Sequence, residues 1–391
     1  MNIITTYINK LERHYEKLFI LIYSCIVGIF FLGTTMISFE LPRGTSWIFL
    51  ILLFGLTCVC IMREQDRKSQ IEYLVICMVF SISGLISSYH ELIYVGALIV
   101  AASNIDFDKI ILAYLSVTIP FLIITVIGSQ IGLIENLVYP HLYRGDRISY
   151  GFISPTDFGA HILFILLAIF SIVKNNKYMK WIILSFVSMF FVYKQCDGRT
   201  TVLSIAIFLT LFAIYYIIKN WINRNNTIFF GVIILIESMI ISISFLFGYL
   251  YRFGNEFILK INDIVSDRLM YISQTMENYN ISMFGQFIEE HGNGRSIIAS
   301  DNYFFIDNSF VKNLYQYGIL VFVLTIIIIF YAQKRMMEKN EYVMCIAVLV
   351  VIIASFIEHH LIEIAYNPFL LSVFACINTI DDKTDVEEKR E

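Results

Sequence analysis

Residues 109–131 read KIILAYLSVTIPFLIITVIGSQI, and residues 133–155 read LIENLVYPHLYRGDRISYGFISP. The first stretch opens on Lys109 and then carries no charge for the roughly 20 residues that a helix needs to cross a bilayer. The second is punctuated by Pro140, Gly145, Gly151 and Pro155, which mark an irregular, exposed connection. It holds Glu135, His141, Arg144, Asp146 and Arg147 among several tyrosines, and another apolar run, 157–173, follows it. Apolar span, arginine-bearing loop, apolar span: this alternation predicts an all-α polytopic integral membrane protein.

The pattern extends along the whole chain. Its 391 residues are 58% hydrophobic, with a mean hydropathy of +0.72, more apolar than a soluble domain of this length. Spans are expected near 18–38, 46–62, 71–88, 91–104, 109–131, 157–173, 180–195, 200–218, 227–249, 309–331, 342–358 and 364–380. That makes about 12 in one membrane domain, 1–391, flanking two large loops, 132–156 and 250–308. The fourth span is short and is alternatively a re-entrant hairpin with the third. The last two alternatively merge around Glu358, His359, His360 and Glu363, so 11 to 13 is the range. The first run follows Lys10, Arg13 and Lys17 and is too long for a signal-peptide core, so it reads as a retained span.

Basic residues set the expected orientation. Eighteen of the 28 lie in loops read as cytoplasmic, and only six of those are arginine. Ten lie on the other face, and seven of those are arginine, including Arg144, Arg147, Arg199, Arg252, Arg268 and Arg295. Both termini are then cytoplasmic. Arginine's planar fork binds phosphate through two parallel hydrogen bonds, which lysine cannot do. Arginines on the face that normally lacks positive charge therefore point to a phosphorylated substrate there. A net charge of −4 argues against nucleic acid as a partner. Six of the seven cysteines sit in apolar spans, only Cys196 is near the outer face, and no disulfide framework or zinc spacing appears.

Within 250–308, residues 256–278 read as one or two amphipathic helices. Ile258, Leu259, Ile261, Ile264 and Val265 make one apolar face, which Leu269, Met270, Ile272 and Met276 continue. Such a segment would rest on the outer leaflet or close over a cavity, with Gly292-Asn293-Gly294 as a hinge. Asp157 and His161 are four apart at the mouth of a span, hence on one helical face. They read equally as a helix start, with Thr156 or Asp157 as the cap and His161 packed. No Walker A sequence, outer-face DxD pair or HExxH is present, which excludes nucleotide hydrolysis and metal-assisted nucleotide-sugar chemistry of the usual kinds. Glu237 is the main charge within the spans, too little for an ion-coupled transporter.

Arginines to neutralise a diphosphate, aromatic faces for sugars, and carboxylates or histidines to take a hydroxyl proton suit glycan transfer from a lipid diphosphate. The expected diphosphate ligands are Arg147, Arg199 and Arg268, with Arg144 and Arg295 behind them. The base is expected to be His291, flanked by Glu289 and Glu290, or His161 with Asp157. No metal and no cofactor is expected.

These features resemble the bacterial oligosaccharide repeat-unit polymerases of O-antigen and capsule synthesis, Wzy type, and the related O-antigen ligases. The likeness runs through topology over most of the chain and through short motifs. Gln195-Cys196-Asp197-Gly198-Arg199-Thr200-Thr201 is similar to a small-residue–Arg–Ser/Thr span opening. Ser266-Asp267-Arg268 through Phe284-Gly285, and Asp307-Asn308-Ser309 through Tyr317-Gly318, are similar to the family's Arg-then-FG and D-N-S…G segments. Arg147-Ile148-Ser149-Tyr150-Gly151 with Ser154-Pro155-Thr156-Asp157 resembles the turn before the sixth span. The family's Arg–ten residues–Gly spacing is not met, since Arg147 to Gly159 is one residue too long. The resemblance implies an enzyme of the bacterial cytoplasmic membrane, using a polyprenyl-diphosphate-linked oligosaccharide, without metal. Its partners would be membrane lipid and the flippase and chain-length regulator of one pathway. A ligase of finished glycan, or a flippase for lipid-linked oligosaccharide, remains the alternative.

Overall fold

The computed structural model describes residues 2–38, 42, 44–140, 145–173, 177–292, 295–297 and 302–377, with side chains from residue 14 onward. The chain is mostly helical, 72%, with almost no sheet. Among the described residues, eight helices are long and apolar enough to cross a membrane. They are the α1 stretch His14–Gly33, α2 Thr45–Arg63, α3 Arg67–Ile86, α5 Phe107–Gln130, α6 Pro155–Ile172, α8 Arg199–Arg224, α9 Asn226–Tyr251 and α13 Ile319–Glu338. Three further expected spans form shorter helices: α4 Glu91–Ala101, α7 Met179–Phe191 and α14 Tyr342–Ala354. The second loop contributes α10 Glu256–Ile264 and α11 Arg268–Asn278, and the single turn α12 Ser309–Lys312 opens the expected span 309–331.

The helices start and stop where local chemistry dictates. Asp66, Asp106 and Ser154 accept backbone N–H groups in the first turns of α3, α5 and α6. Ser154, rather than Thr156 or Asp157, is therefore the cap of α6, and Pro155 follows in the first turn, where its missing N–H costs nothing. Small residues let helices approach closely, as lipid-embedded packing favours. A Cβ on Gly96 of α4 would lie 2.6 Å from Phe80 of α3, and one on Gly159 of α6 would lie 2.5 Å from Thr201 Oγ1 of α8. Inside the bundle, Gln333 of α13 donates to Glu237 of α9 at 2.5 Å. An interhelical polar pair of this kind contributes about 0.6–2 kcal/mol in a membrane.

The expected last span, 364–380, is not a helix. Its described residues are irregular apart from a short 3-10 turn, Phe369–Val373. Asn367 accepts from Phe369 N–H and donates to Leu361 O, so its side chain competes with the helical ladder. Pro368 next to it has no N–H to give. The segment nonetheless runs past α4, from Ile364, whose N–H meets Glu91, to Cys376, which pairs with Ile105 and Phe107. Leu361, Ile362, Ile364, Ala365 and Tyr366 are all buried, and irregular backbone at membrane depth is tolerated where protein covers it.

Both long loops sit at one end of the bundle. In the first, β1 Val138–Tyr139 pairs antiparallel with β2 Arg147–Ile148, a small hairpin within the stretch expected to be irregular throughout. Met36 and Ile153 N–H groups bond to Gly151 and Thr34 carbonyls and stitch this loop to the end of α1. In the second, Ile258, Leu269 and Ile272 of α10 and α11 bury against Ile288, Ile306 and Val311. The apolar face expected for α10 is divided: Ile258 points inward, while Leu259 and Ile264 are exposed. Of the expected hinge, Asn293 and Gly294 lie outside the described residues. At the opposite end, Lys109 reaches Glu16, and Arg335 meets the carbonyls of Ser372 and Val373.

Candidate functional site

Beneath the two loops, six ionisable side chains from three separate stretches meet. Arg268 Nε stands 3.1 Å from Asp307 Oδ2, and its Nη2 4.0 Å from Glu358 Oε1. Asp307 Oδ1 is 3.6 Å from His359 Nδ1, and His359 Nε2 is 3.3 Å from Glu363 Oε1. The other oxygen of Glu363 lies 2.8 Å from His360 Nδ1. All are largely or wholly buried, and a charged group survives burial only when paired and hydrogen-bonded.

Local sequence explains this convergence. Ser266 and Asp267 both adopt left-handed backbone, φ 57° and 65°, which non-glycine residues avoid. Asn262 holds the turn: its side chain donates to Asp267 and accepts from Met270 N–H. Arg268 thereby starts α11 facing inward. Asn308 caps α12, accepting from Phe310 and Val311, and donates to Phe356 O. Ser309 donates to Glu358 O and accepts from Leu361 N–H. Asp307-Asn308-Ser309 is thus a clamp on residues 355–361, and Asp307 at its head touches both Arg268 and His359.

Electrostatics follows from these contacts. Burial opposes charge on His359, yet Glu363 and Asp307 outweigh it and hold the imidazole up to about 9. Burial alone would raise Asp307, but Arg268 and His359 keep its carboxyl below the ordinary carboxylate range. Burial likewise works against Arg268, and Asp307 and Glu358 override it. The cluster therefore contains a cationic pair, Arg268 and protonated His359. Beside it, His360 donates Nδ1–H to Glu363, which leaves its Nε2 without a hydrogen-bond partner, 3.8 Å from Glu358 Oε2.

The expected site residues divide around this cluster. Arg268 is at its centre. Arg147, in β2, donates Nε–H to Cys196 O and lies within electrostatic range of Arg268 and Glu358. Arg199 is half-exposed and pairs with Asp197 at 3.0 Å. Arg295 is exposed, and Arg144 and His141 lie outside the described residues. Asp157 is within electrostatic range of His359 and His360. His161 is buried between Phe31 and Tyr366, with ring centroids at 4.3 and 4.1 Å. Thr34 commits its proton to Phe31 O, so His161 must donate Nε2–H to Thr34, at 2.9 Å. Tyr366 separates His161 from His360, on which it stacks at 3.8 Å.

His291 stands apart. Its backbone pairs with Phe304, and its exposed ring is 3.7 Å from the exposed Glu289. Glu290 turns inward instead, accepting Ile306 N–H and binding Lys312 at 3.0 Å. It braces the irregular segment that leads into Asp307. Glu358, His359, His360 and Glu363 entered the sequence reading only as a junction between spans. The signal that marks them is present: four ionisable groups within six residues, between two apolar runs, is functional by default in a membrane protein.

No family model, curated protein or solved structure matches this chain.

Proposed function

We propose that this chain is a membrane glycosyltransferase that joins polyprenyl-diphosphate-linked oligosaccharide repeat units on the outer face of the bacterial cytoplasmic membrane. The observation that carries the reading is the cluster itself. A cationic pair, Arg268 and His359, lies beside a His360–Glu363 dyad, and two aromatic-rich loops cover both. A hydroxyl of the incoming repeat unit attacks the anomeric carbon of the donor. The new C–O bond forms as the bond to the diphosphate oxygen breaks, and polyprenyl diphosphate leaves with the electron pair. The hydroxyl proton passes to His360 Nε2, and Glu363 steadies the imidazolium through Nδ1–H. Arg268 and His359, with Arg147 nearby, offset the charge on the departing diphosphate. Transfer is favoured over translocation because these charges gather at one end under long loops. A flippase needs them along a central path.

Purified protein incubated with lipid-linked repeat units should yield a ladder of products. A single transfer to a different acceptor would instead assign a ligase. Transport of the lipid-linked substrate across vesicles with no new glycosidic bond would overturn the enzyme reading.

A further inference from the structure

We propose that His359, His360 and Glu363 also bind one transition-metal dication, zinc by the nature of the donors, and that the bound ion silences the transfer site. One donor atom from each side chain lies within 4.8 Å of the other two. Two imidazoles and a carboxylate are a recurrent zinc donor set, whereas magnesium and calcium prefer oxygen alone. Ligands at 2.0–2.1 Å around a tetrahedral zinc stand about 3.3 Å from one another. His359 Nε2 is 3.3 Å from Glu363 Oε1 and His360 Nδ1 is 2.8 Å from Glu363 Oε2, so the carboxylate stands between the two imidazoles and needs a small turn and opening to share one ion with both.

A second, independent observation comes from the far side of each ring. A metal-bound imidazole characteristically donates its other N–H to a carboxylate. His359 Nδ1 faces Asp307 Oδ1 at 3.6 Å, and His360 Nε2 faces Glu358 Oε2 at 3.8 Å. Both nitrogens are buried and lack a hydrogen-bond partner. A metal on the inner nitrogens displaces the Nε2 proton of His359 and leaves its Nδ1–H in place, and it puts the hydrogen of His360 on Nε2, so each outer nitrogen has an N–H with a carboxylate in front of it. The histidines thus become a pair of carboxylate–histidine–metal relays, while Glu363 exchanges its N–H donors for the ion. In that state His360 Nε2 holds a hydrogen and has no lone pair for a substrate proton. The silencing rests on the transferase reading; the binding does not.

The test uses the full chain, purified in detergent without a histidine tag and stripped with chelator. Zinc chloride is titrated calorimetrically, and cobalt(II) is followed by its visible spectrum. One zinc should bind per chain. Asp307→Asn should weaken it about 10- to 100-fold, and Glu363→Gln should weaken it more. His291→Ala, which removes the exposed pair with Glu289, should leave binding unchanged. Absence of binding at micromolar zinc overturns the site, as does wild-type affinity in Glu363→Gln or loss of binding in His291→Ala. Where a variant fails to fold, the wild-type cobalt spectrum decides. Intense four-coordinate bands support the site, and the weak spectrum of the hydrated ion overturns it. One equivalent of zinc should also stop ladder formation, and chelator should restore it. Zinc that binds at these residues while turnover continues overturns the silencing. A metal-free protein that binds zinc as expected yet never forms a ladder leaves the metal site standing and removes the transferase reading alone.

Discussion

Arg268 is the residue that ties the second outer loop to two carboxylates of the cluster. It forms an ion pair with Asp307 through Nε and approaches Glu358 through Nη2, so one edge of the guanidinium faces two carboxylates. Lysine keeps the charge and loses that fork. Arg268→Lys should lower polymer formation about 100- to 1,000-fold, the usual cost of one preorganised donor at a developing charge. Exposed Arg295→Lys should stay near the wild-type rate. Initial rates on defined lipid-linked substrate, at matched protein levels, test this contrast; equal losses in the two variants would remove Arg268 from its special role. The histidines separate in the same way. His360→Gln should cost about 100- to 10,000-fold as the loss of a general base, whereas His291→Ala should cost little, because its ring is exposed and remote from the cluster. The reverse ranking would restore His291 as the base. Arg268 was legible because a family-like motif and its type marked it. The histidines 359 and 360 were not, because a run such as EHHLIE between apolar stretches looks like a boundary until a fold brings Asp307 to it. Distance in sequence hid that pairing: Asp307 reaches His359 because the clamp of Asn308 and Ser309 brings the two stretches together.

Among the elements, the start of α13 shows why two short motifs recur in one order. Gly285 and Gly318 have φ of +88° and +95°, and their backbones press together. A Cβ on Gly318 would lie 2.2 Å from Gly285 N, and one on Gly285 would lie 2.3 Å from Gln316 O. Three backbone bonds, Gln286 to Gln316, Ile319 to Ser282 and Leu320 to Met283, fasten the outer loop to the bundle there. Phe284-Gly285 and Tyr317-Gly318 are therefore two halves of one close approach. Gly318→Ala combines backbone strain, about 1–3 kcal/mol, with a collision against backbone that cannot give way. Gly254, at φ +63°, has open space around its Cβ position, so alanine there brings strain alone. The melting temperature in detergent should fall clearly further for Gly318→Ala than for Gly254→Ala. Equal falls would show that the contact contributes nothing. Long apolar helices were read closely because hydropathy reports them directly. The divided face of α10 was not, since helical periodicity places residues on a face without saying what that face meets.

Taken whole, the molecule gathers its described basic residues at its two ends. Arg147, Arg199, Arg268 and Lys312 gather with the two loops, which touch where Tyr139 OH approaches Ser296 O at 3.5 Å. Lys109, Lys334 and Arg335 belong to the other end, next to Glu16, Glu338 and the chain near residue 373. Among the described residues, 364–377 also run between the two ends, the stretch that hydropathy described as a spanning helix and that Asn367 and Pro368 turn into buried irregular chain. That route has a consequence for sidedness. Cys376 is exposed beside Ile105, at the lysine-bearing end, although the cluster it descends from, at 358–363, sits under the loops. In a chain with the other cysteines replaced, Cys376 should react with a membrane-impermeant thiol reagent only when the cytoplasmic face is open. A cysteine at Ser296, in the same background without Cys376, should react from the outer face. Reaction of both from one face would mean that 364–377 does not cross. The buried EHH segment would then be the floor of a re-entrant loop, and a transfer site that draws its base from this segment would lose the support that the crossing gives it.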